Sequence, residues 1–237
     1  RPSDRLAKTS AFRPSSVTLS ALVDALTFSH YKTAFLLEEQ LTPENANRYR
    51  TLIVPDAAFA SYETTPALLK RYVEAGGTLI LYPHALTQNE YGASTTNTLF
   101  SWSSASTNWT SAKIGKIDVK STPIGHGKVF RVESPDLDAL LHSLGLTKTC
   151  QCLDPATGGE LPNLEVSHAQ TADGTQGFII FNRTDRKVTA LIKIPGLDQP
   201  HARDRCHDKT LPTHDGGFTL ELAPDNGEII TVSPAPQ

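Results

Sequence analysis

Two short runs constrain this chain more than any other feature. Thr51-Leu52-Ile53-Val54-Pro55 and Thr78-Leu79-Ile80-Leu81-Tyr82 are continuously apolar rather than alternating. A strand with one wet face alternates; a strand covered on both faces need not, which is the habit of parallel sheets flanked by helices. Helical signals surround both runs. Leu19, Leu22, Val23 and Leu26 fall at i, i+3, i+4 and i+7, one face of an amphipathic helix. Thr42-Pro43, Thr65-Pro66 and Ser134-Pro135 each pair a capping hydroxyl with proline at the first helical position. The helix after Thr65 carries Leu68, Leu69, Tyr72 and Val73 on one face and stops at Gly76-Gly77; the one after Ser134 carries Leu137, Leu140, Leu141 and Leu144 and stops at Gly145. Tyr31 to Leu37 reads as a further short strand, and Lys128 to Val132 as a last one. Such alternation with short links predicts right-handed βαβ units and a parallel sheet over residues 1–148.

The pattern then changes. Residues 149–162, with Pro155, Gly158-Gly159 and Pro162, read as a linker. From residue 163 to 237 the period is two. Leu164 to Ala169, Gly177 to Phe181, Val188 to Ile194, Phe218 to Leu222 and Glu228 to Val232 are short strand candidates separated by turn residues. Strands at this spacing predict an antiparallel β-sandwich.

One stretch of the first half fits neither pattern. Residues 87–112 are rich in Ser, Thr and Asn and carry Tyr91, Phe100, Trp102 and Trp109. A connection this long reads as an interaction surface, and aromatic rings are enriched at interface cores. Exposed tryptophans also stack on sugar rings through their apolar faces, so carbohydrate is a second reading for Trp102 and Trp109. Nearby, His84 follows the strand ending at Tyr82, with Glu90 six positions on, at a strand end where doubly wound sheets bind ligands.

Composition excludes several classes. The net charge is −3 with Lys and Arg scattered, which gives no electrostatic case for nucleic acid or an anionic membrane surface. No apolar run approaches the roughly 20 residues of a membrane span. The absence of methionine and the start at Arg1-Pro2-Ser3 are expected of a processed chain or a piece of a longer one. The three cysteines, Cys150, Cys152 and Cys206, lack paired CxxC spacing, and a disulfide from Cys206 to Cys150 or Cys152 would leave one thiol over. His201, His207 and His214 lie near Asp204, Asp208 and Asp215 without a recognised metal spacing; no metal and no cofactor are expected. The sequons at Asn108 and Asn182 would permit glycosylation of a secreted protein, and a secreted or periplasmic location is the expectation they favour.

The run Tyr72-Val73-Glu74-Ala75-Gly76-Gly77-Thr78-Leu79, placed after a strand that ends in proline and a helix, resembles the glutamine-amidotransferase-like domain that follows the catalytic barrel in family-42 β-galactosidases. Gln88-Asn89-Glu90 sits where that family has an acidic loop. Gly177-Phe178-Ile179-Ile180-Phe181-Asn182-Arg183-Thr184 resembles a strand of the family's small C-terminal β-domain, and Leu220 to Val232 its closing strands. Residues 1–16, polar and irregular, depart from the pattern where a first strand belongs. The resemblance implies a flavodoxin-like, class I amidotransferase-like three-layer domain followed by a β-sandwich. It also implies an upstream catalytic barrel in the same protein and a homo-oligomer. Amidotransferase chemistry needs a cysteine at a strand-to-helix elbow, and residues 1–149 contain none. A glycosidase needs two carboxyls facing a sugar, and no pair among the 25 acidic residues stands out. The expected role is therefore a non-catalytic accessory and oligomerisation region of a glycoside hydrolase. The alternatives are a stand-alone carbohydrate-binding module or an amidotransferase-like domain with no link to sugars.

Overall fold

The computed structural model describes residues 19–55, 59–60, 64–83, 85, 88–89, 109–197, 200–214 and 216–234. The chain forms two compact units. The first comprises residues 1–22 and 34–140, the second residues 23–33 and 141–237.

In chain order the first half contains α1 (Leu19–Phe28), α2 (Pro43–Ala46), β1 (Thr51–Val54), β2 (Phe59–Ala60), α3 (Thr65–Glu74), β3 (Thr78–Leu81), β4 (Gln88–Asn89), β5 (Thr110–Ile114), β6 (Ile117–Ile124), β7 (Gly127–Val132) and α4 (Asp138–Ser143). β1, β3 and β7 pair in parallel, with Thr51 opposite Thr78 and Leu79 opposite Val129. Two expectations hold here: the segments at 51–55 and 78–82 are adjacent and parallel. Thr42 caps α2, its Oγ1 accepting from the Asn45 N–H at 3.2 Å. α3 starts one residue earlier than the Thr65 signal, with Thr64 at the cap, and Thr65 instead donates its hydroxyl to Glu38. Leu69, Tyr72 and Val73 of α3 pack with Leu79, Leu81 and Val129 of the sheet, while Ile80 and Phe130, which alternate to the opposite face, are buried as well.

The five-stranded sheet, in order β1-β3-β7-β6-β5, is nevertheless mixed rather than parallel. β6 runs antiparallel to both β5 and β7. The cause is local: β5 and β6 are joined by the turn at Gly115-Lys116, and β6 and β7 by the turn at Gly125-His126. A two-residue link can only reverse the chain, whereas a parallel return needs a crossover of a dozen residues or more. Three further expectations are corrected. Thr51–Val54 is half-buried rather than fully covered, because among the described residues it pairs on one side only. Tyr31 to Leu37 forms no strand; Tyr31 is buried, but Phe35 and Leu37 are 70% and 59% exposed. Residues 110–112, assigned to the long connection, are strand.

The second unit holds β8 (Gln151–Leu153), β9 (Leu164–Gln170), β10 (Gln176–Asn182), β11 (Val188–Lys193), β12 (Pro200–Asp204), β13 (Lys209–Thr210), β14 (Thr213–His214), β15 (Gly217–Leu222) and β16 (Gly227–Pro234). One sheet has the order β13-β12-β16-β10-β9 and the other β14-β15-β11-β8, antiparallel throughout. Phe178, Ile180, Ile230 and Val232 from the first meet Ala190, Ile192, Phe218 and Leu220 from the second in one apolar core. The five strands read from the period-two pattern are all present. The stretch at 149–162 is not a linker: β8 lies within it, paired to β11 with Cys152 opposite Ile192.

Candidate functional site

Ligand sites in open α/β sheets lie beyond the carboxyl ends of parallel strands. Here those ends are Pro83 after β3 and Glu133-Ser134 after β7, and they border an open groove together with the β5–β6 hairpin. Lys113, Lys116, Lys120 and Arg131 supply four cations; Asp118, Glu133 and Asp136 supply three anions, so the groove carries little net charge. Its lining contains no histidine and no cysteine among the described residues. Its hydroxyls, amines and carboxylates can hydrogen-bond a polar ligand.

Of the residues singled out in the sequence, His84, Glu90, Tyr91, Trp102 and Asn108 lie outside the described residues. Trp109 is described and is half-buried. It packs against the core of the first unit, and the Arg131 guanidinium lies over its ring, 4.4 Å from the centroid. Such a cation–π contact uses the face that a sugar would need. Burial lowers the pKa of Arg131 from its usual value, an effect that leaves a guanidinium charged at neutral pH.

Asn182 is fully buried, which excludes it as a glycosylation site. Its amide nitrogen donates to the carbonyls of Arg186 at 2.8 Å and Ala223 at 2.9 Å, and its Oδ1 accepts from the Thr184 N–H at 3.0 Å and hydroxyl at 2.7 Å. Asn182 and Thr184 of the sequon fasten the turn, while Arg183 between them is exposed and pairs with Glu165.

All three cysteines are free, so the disulfide that Cys206 could make with Cys150 or Cys152 is not formed. Cys206 is exposed in the turn between β12 and β13, while Cys150 and Cys152 are buried in the sandwich core. The Cys152 thiol is pushed well above its ordinary value, first by its hydrogen bond with Cys150 and then by burial.

One of the three downstream histidines enters a charged cluster. His207 Nδ1 lies 3.0 Å from Asp204 Oδ2 and 3.4 Å from Glu228 Oε2, and Lys209 Nζ is 3.7 Å from the same Asp204 oxygen. Burial opposes ionisation of Asp204. Hydrogen bonds from the His207 side chain and from the N–H groups of His207 and Cys206 outweigh it and hold the carboxyl below its usual range. His214 bonds Thr219 Oγ1 at 2.9 Å, and His201 is exposed.

No family model matches the sequence, and no curated protein matches it. Solved structures do match the fold. Gan42B, a GH42 β-galactosidase from G. stearothermophilus, superposes with a TM-score of 0.67 at 13% identity over 94% of this chain and 37% of its own. A β-galactosidase from Bacillus circulans sp. alkalophilus gives a TM-score of 0.63 at 14% identity over 90% of this chain and 37% of its own. An exo-carrageenase GH42 from Bacteroides ovatus gives 0.58 at 16% identity over 91% and 26%. This chain thus spans 37% of the length of the β-galactosidases it superposes on, and its fold is that of a part of family-42 β-galactosidases, as the motif from Tyr72 to Leu79 leads one to expect.

Proposed function

We propose that this chain is the non-catalytic accessory region of a glycoside hydrolase. Its partners in this reading are a catalytic barrel of the same protein and further copies of the assembly. The mixed-sheet unit is then the counterpart of the amidotransferase-like domain, and the sandwich is the small β-domain that follows it.

One observation carries the reading. The same fold, over nine-tenths of this chain, occurs in proteins described as β-galactosidases and in one described as an exo-carrageenase. A region common to enzymes of different stated activity does not set the reaction; it supports whatever sets it. The absence of any cysteine in residues 1–149 removes the nucleophile a glutaminase would need. The commitment of Trp109 to Arg131 and the core argues against a sugar-stacking platform at that position.

The test is turnover by the purified chain. Incubated with nitrophenyl glycosides, including the β-galactoside, and separately with glutamine, it is expected to release neither nitrophenol nor ammonia. Hydrolysis of either substrate class, abolished by a point substitution in this chain, overturns the reading.

A further inference from the structure

Helix α1 ends at Phe28, and two residues later the chain makes an uncommon move. His30 takes a left-handed conformation, φ 60°, which costs a non-glycine residue energy and for which histidine is among the more tolerant types. The conformation is fastened from the second unit, to which residues 23–33 belong. Thr149 donates both its N–H and its hydroxyl to the His30 carbonyl, each at 2.8 Å. The imidazole so placed is buried, 6% exposed, and its Nε2 lies 2.8 Å from the Leu164 carbonyl oxygen. That oxygen can only accept, so Nε2 carries the hydrogen and the lone pair of the neutral ring resides on Nδ1.

The thiols of Cys150 and Cys152 lie beside this ring. Cys150 immediately precedes β8 and Cys152 lies within it, and both side chains belong to the sandwich core. Both are buried, at 0% and 1% exposure. A ring nitrogen of His30 and the two Sγ atoms lie within 4.8 Å of one another. A tetrahedral zinc site with ordinary Zn–S and Zn–N lengths brings such atoms to about 3.6–3.8 Å, so a closure of about 1 Å would suffice.

We infer that His30, Cys150 and Cys152 form a buried binding site for one zinc ion. Thiolate and imidazole ligands select zinc over hard cations. A backbone carbonyl fixing the far nitrogen of the ring is the usual partner of a metal-bound histidine. Charge closes too. Each thiol releases its proton to solvent as the metal enters, so a dication, two thiolates and a neutral imidazole sum to zero. A neutral site is what an apolar core tolerates. Because the three ligands come from positions 30, 150 and 152, the metal is loaded as the unit folds. This departs from the expectation that the chain holds no metal, and it is independent of the accessory role.

The experiment refolds the full chain from denaturant with Zn²⁺ and reductant, removes loose metal over a weak chelator, and measures zinc per chain by elemental mass spectrometry. About one zinc per chain is expected, since three ligands here serve a single ion. Cys150→Ala/Cys152→Ala keeps small apolar groups in the core and is expected to fold and retain none. His30→Asn, which tolerates the left-handed backbone, is expected to keep the wild-type circular dichroism and to lose most of the zinc. Co²⁺ in place of Zn²⁺ should give thiolate-to-metal charge-transfer absorption in the wild type alone. The inference is overturned if the wild type emerges without zinc. It is equally overturned if the double cysteine variant retains as much as the wild type, which would move the metal to the Asp204–His207–Glu228 cluster.

Discussion

The two units reach a dry core by different routes. In the first, backbone comes close to backbone where α3 meets the sheet. A Cβ added to Gly127, at the start of β7, would lie 2.2 Å from the Val73 carbonyl oxygen and 2.3 Å from that of Gly77. In the second, two sheets are held apart by interdigitated side chains such as Phe178, Ile192 and Phe218, as sheet-on-sheet packing requires. Its glycine at the β9–β10 turn, Gly174, has φ +84°, and a Cβ added there would meet nothing within 4 Å. The difference teaches where each architecture is intolerant. Helix-on-strand contact is limited by side chains that must be missing. Sheet-on-sheet contact is limited mainly by side chains that must be present: Gly174 answers only for its own dihedral, although at Gly217 an added Cβ would also meet backbone, 2.4 Å from the Ile192 carbonyl oxygen.

Three measurements break or sharpen that contrast. Gly127→Ala is expected to cost about 3 kcal/mol, because rigid carbonyls rather than a flexible side chain stand in the way. Urea unfolding of the variant checks it, and a cost no greater than that of Gly174→Ala would end the distinction. The second measurement uses tyrosine, of which the second unit holds one, Tyr31. Tyr72 is buried, with its hydroxyl donating toward the Tyr49 carbonyl at 3.1 Å and the Thr78 carbonyl at 3.3 Å. Burial pushes its phenol up to about 12, against about 10 in an unfolded chain. The folded state holds this proton more tightly, so the contribution is whole below about pH 10 and is lost as pH rises toward the folded value. A loss on the order of 2 kcal/mol is expected in that window. Tyr72→Phe should flatten the alkaline slope of stability; an unchanged slope assigns the loss elsewhere. The smallest effect is expected from Gly174→Ala, about 1 kcal/mol from the left-handed backbone alone. Gly174→Asn should recover most of it, since asparagine visits that region readily.

Much of the sandwich was legible because its residues repeat every two positions and each strand meets its partners through short turns. Leu164, Phe178, Ile192, Leu220 and Ile230 announce a face before any coordinate is known. In the first unit the apolar runs at 51–55 and 78–82 marked parallel neighbours, but the hairpin from Thr110 to Ile124 went unread. Its inward residues are sparse, Ile117 and Val119 among lysines and aspartate, and the Ser/Thr-rich stretch before it masked the start. Tyr31 to Leu37 misled in the opposite sense: apolar residues that look like a strand find no sheet to join. Among the site residues, the sequence offered His207 near Asp204, and the structure adds Glu228 from a neighbouring strand. His30 carried no signal at all, since its partners are Thr149 and Leu164, more than a hundred positions away.

That distance has a consequence for how the molecule is made. The sandwich unit is discontinuous: residues 23–33 leave the ribosome first, and Thr149 and Leu164, which receive them, follow long afterwards. Until then the segment waits with its apolar side chains unplaced while the intervening chain is still being made. Closing so long a loop adds only modestly to the entropy cost, because that cost rises with the logarithm of length, yet it slows assembly. A cut between the halves at residue 148 would therefore not yield two whole units. It would leave the downstream piece with the Thr149 N–H and the Leu164 carbonyl stripped of their native partner, and the upstream piece with a strained histidine that has nothing to hold.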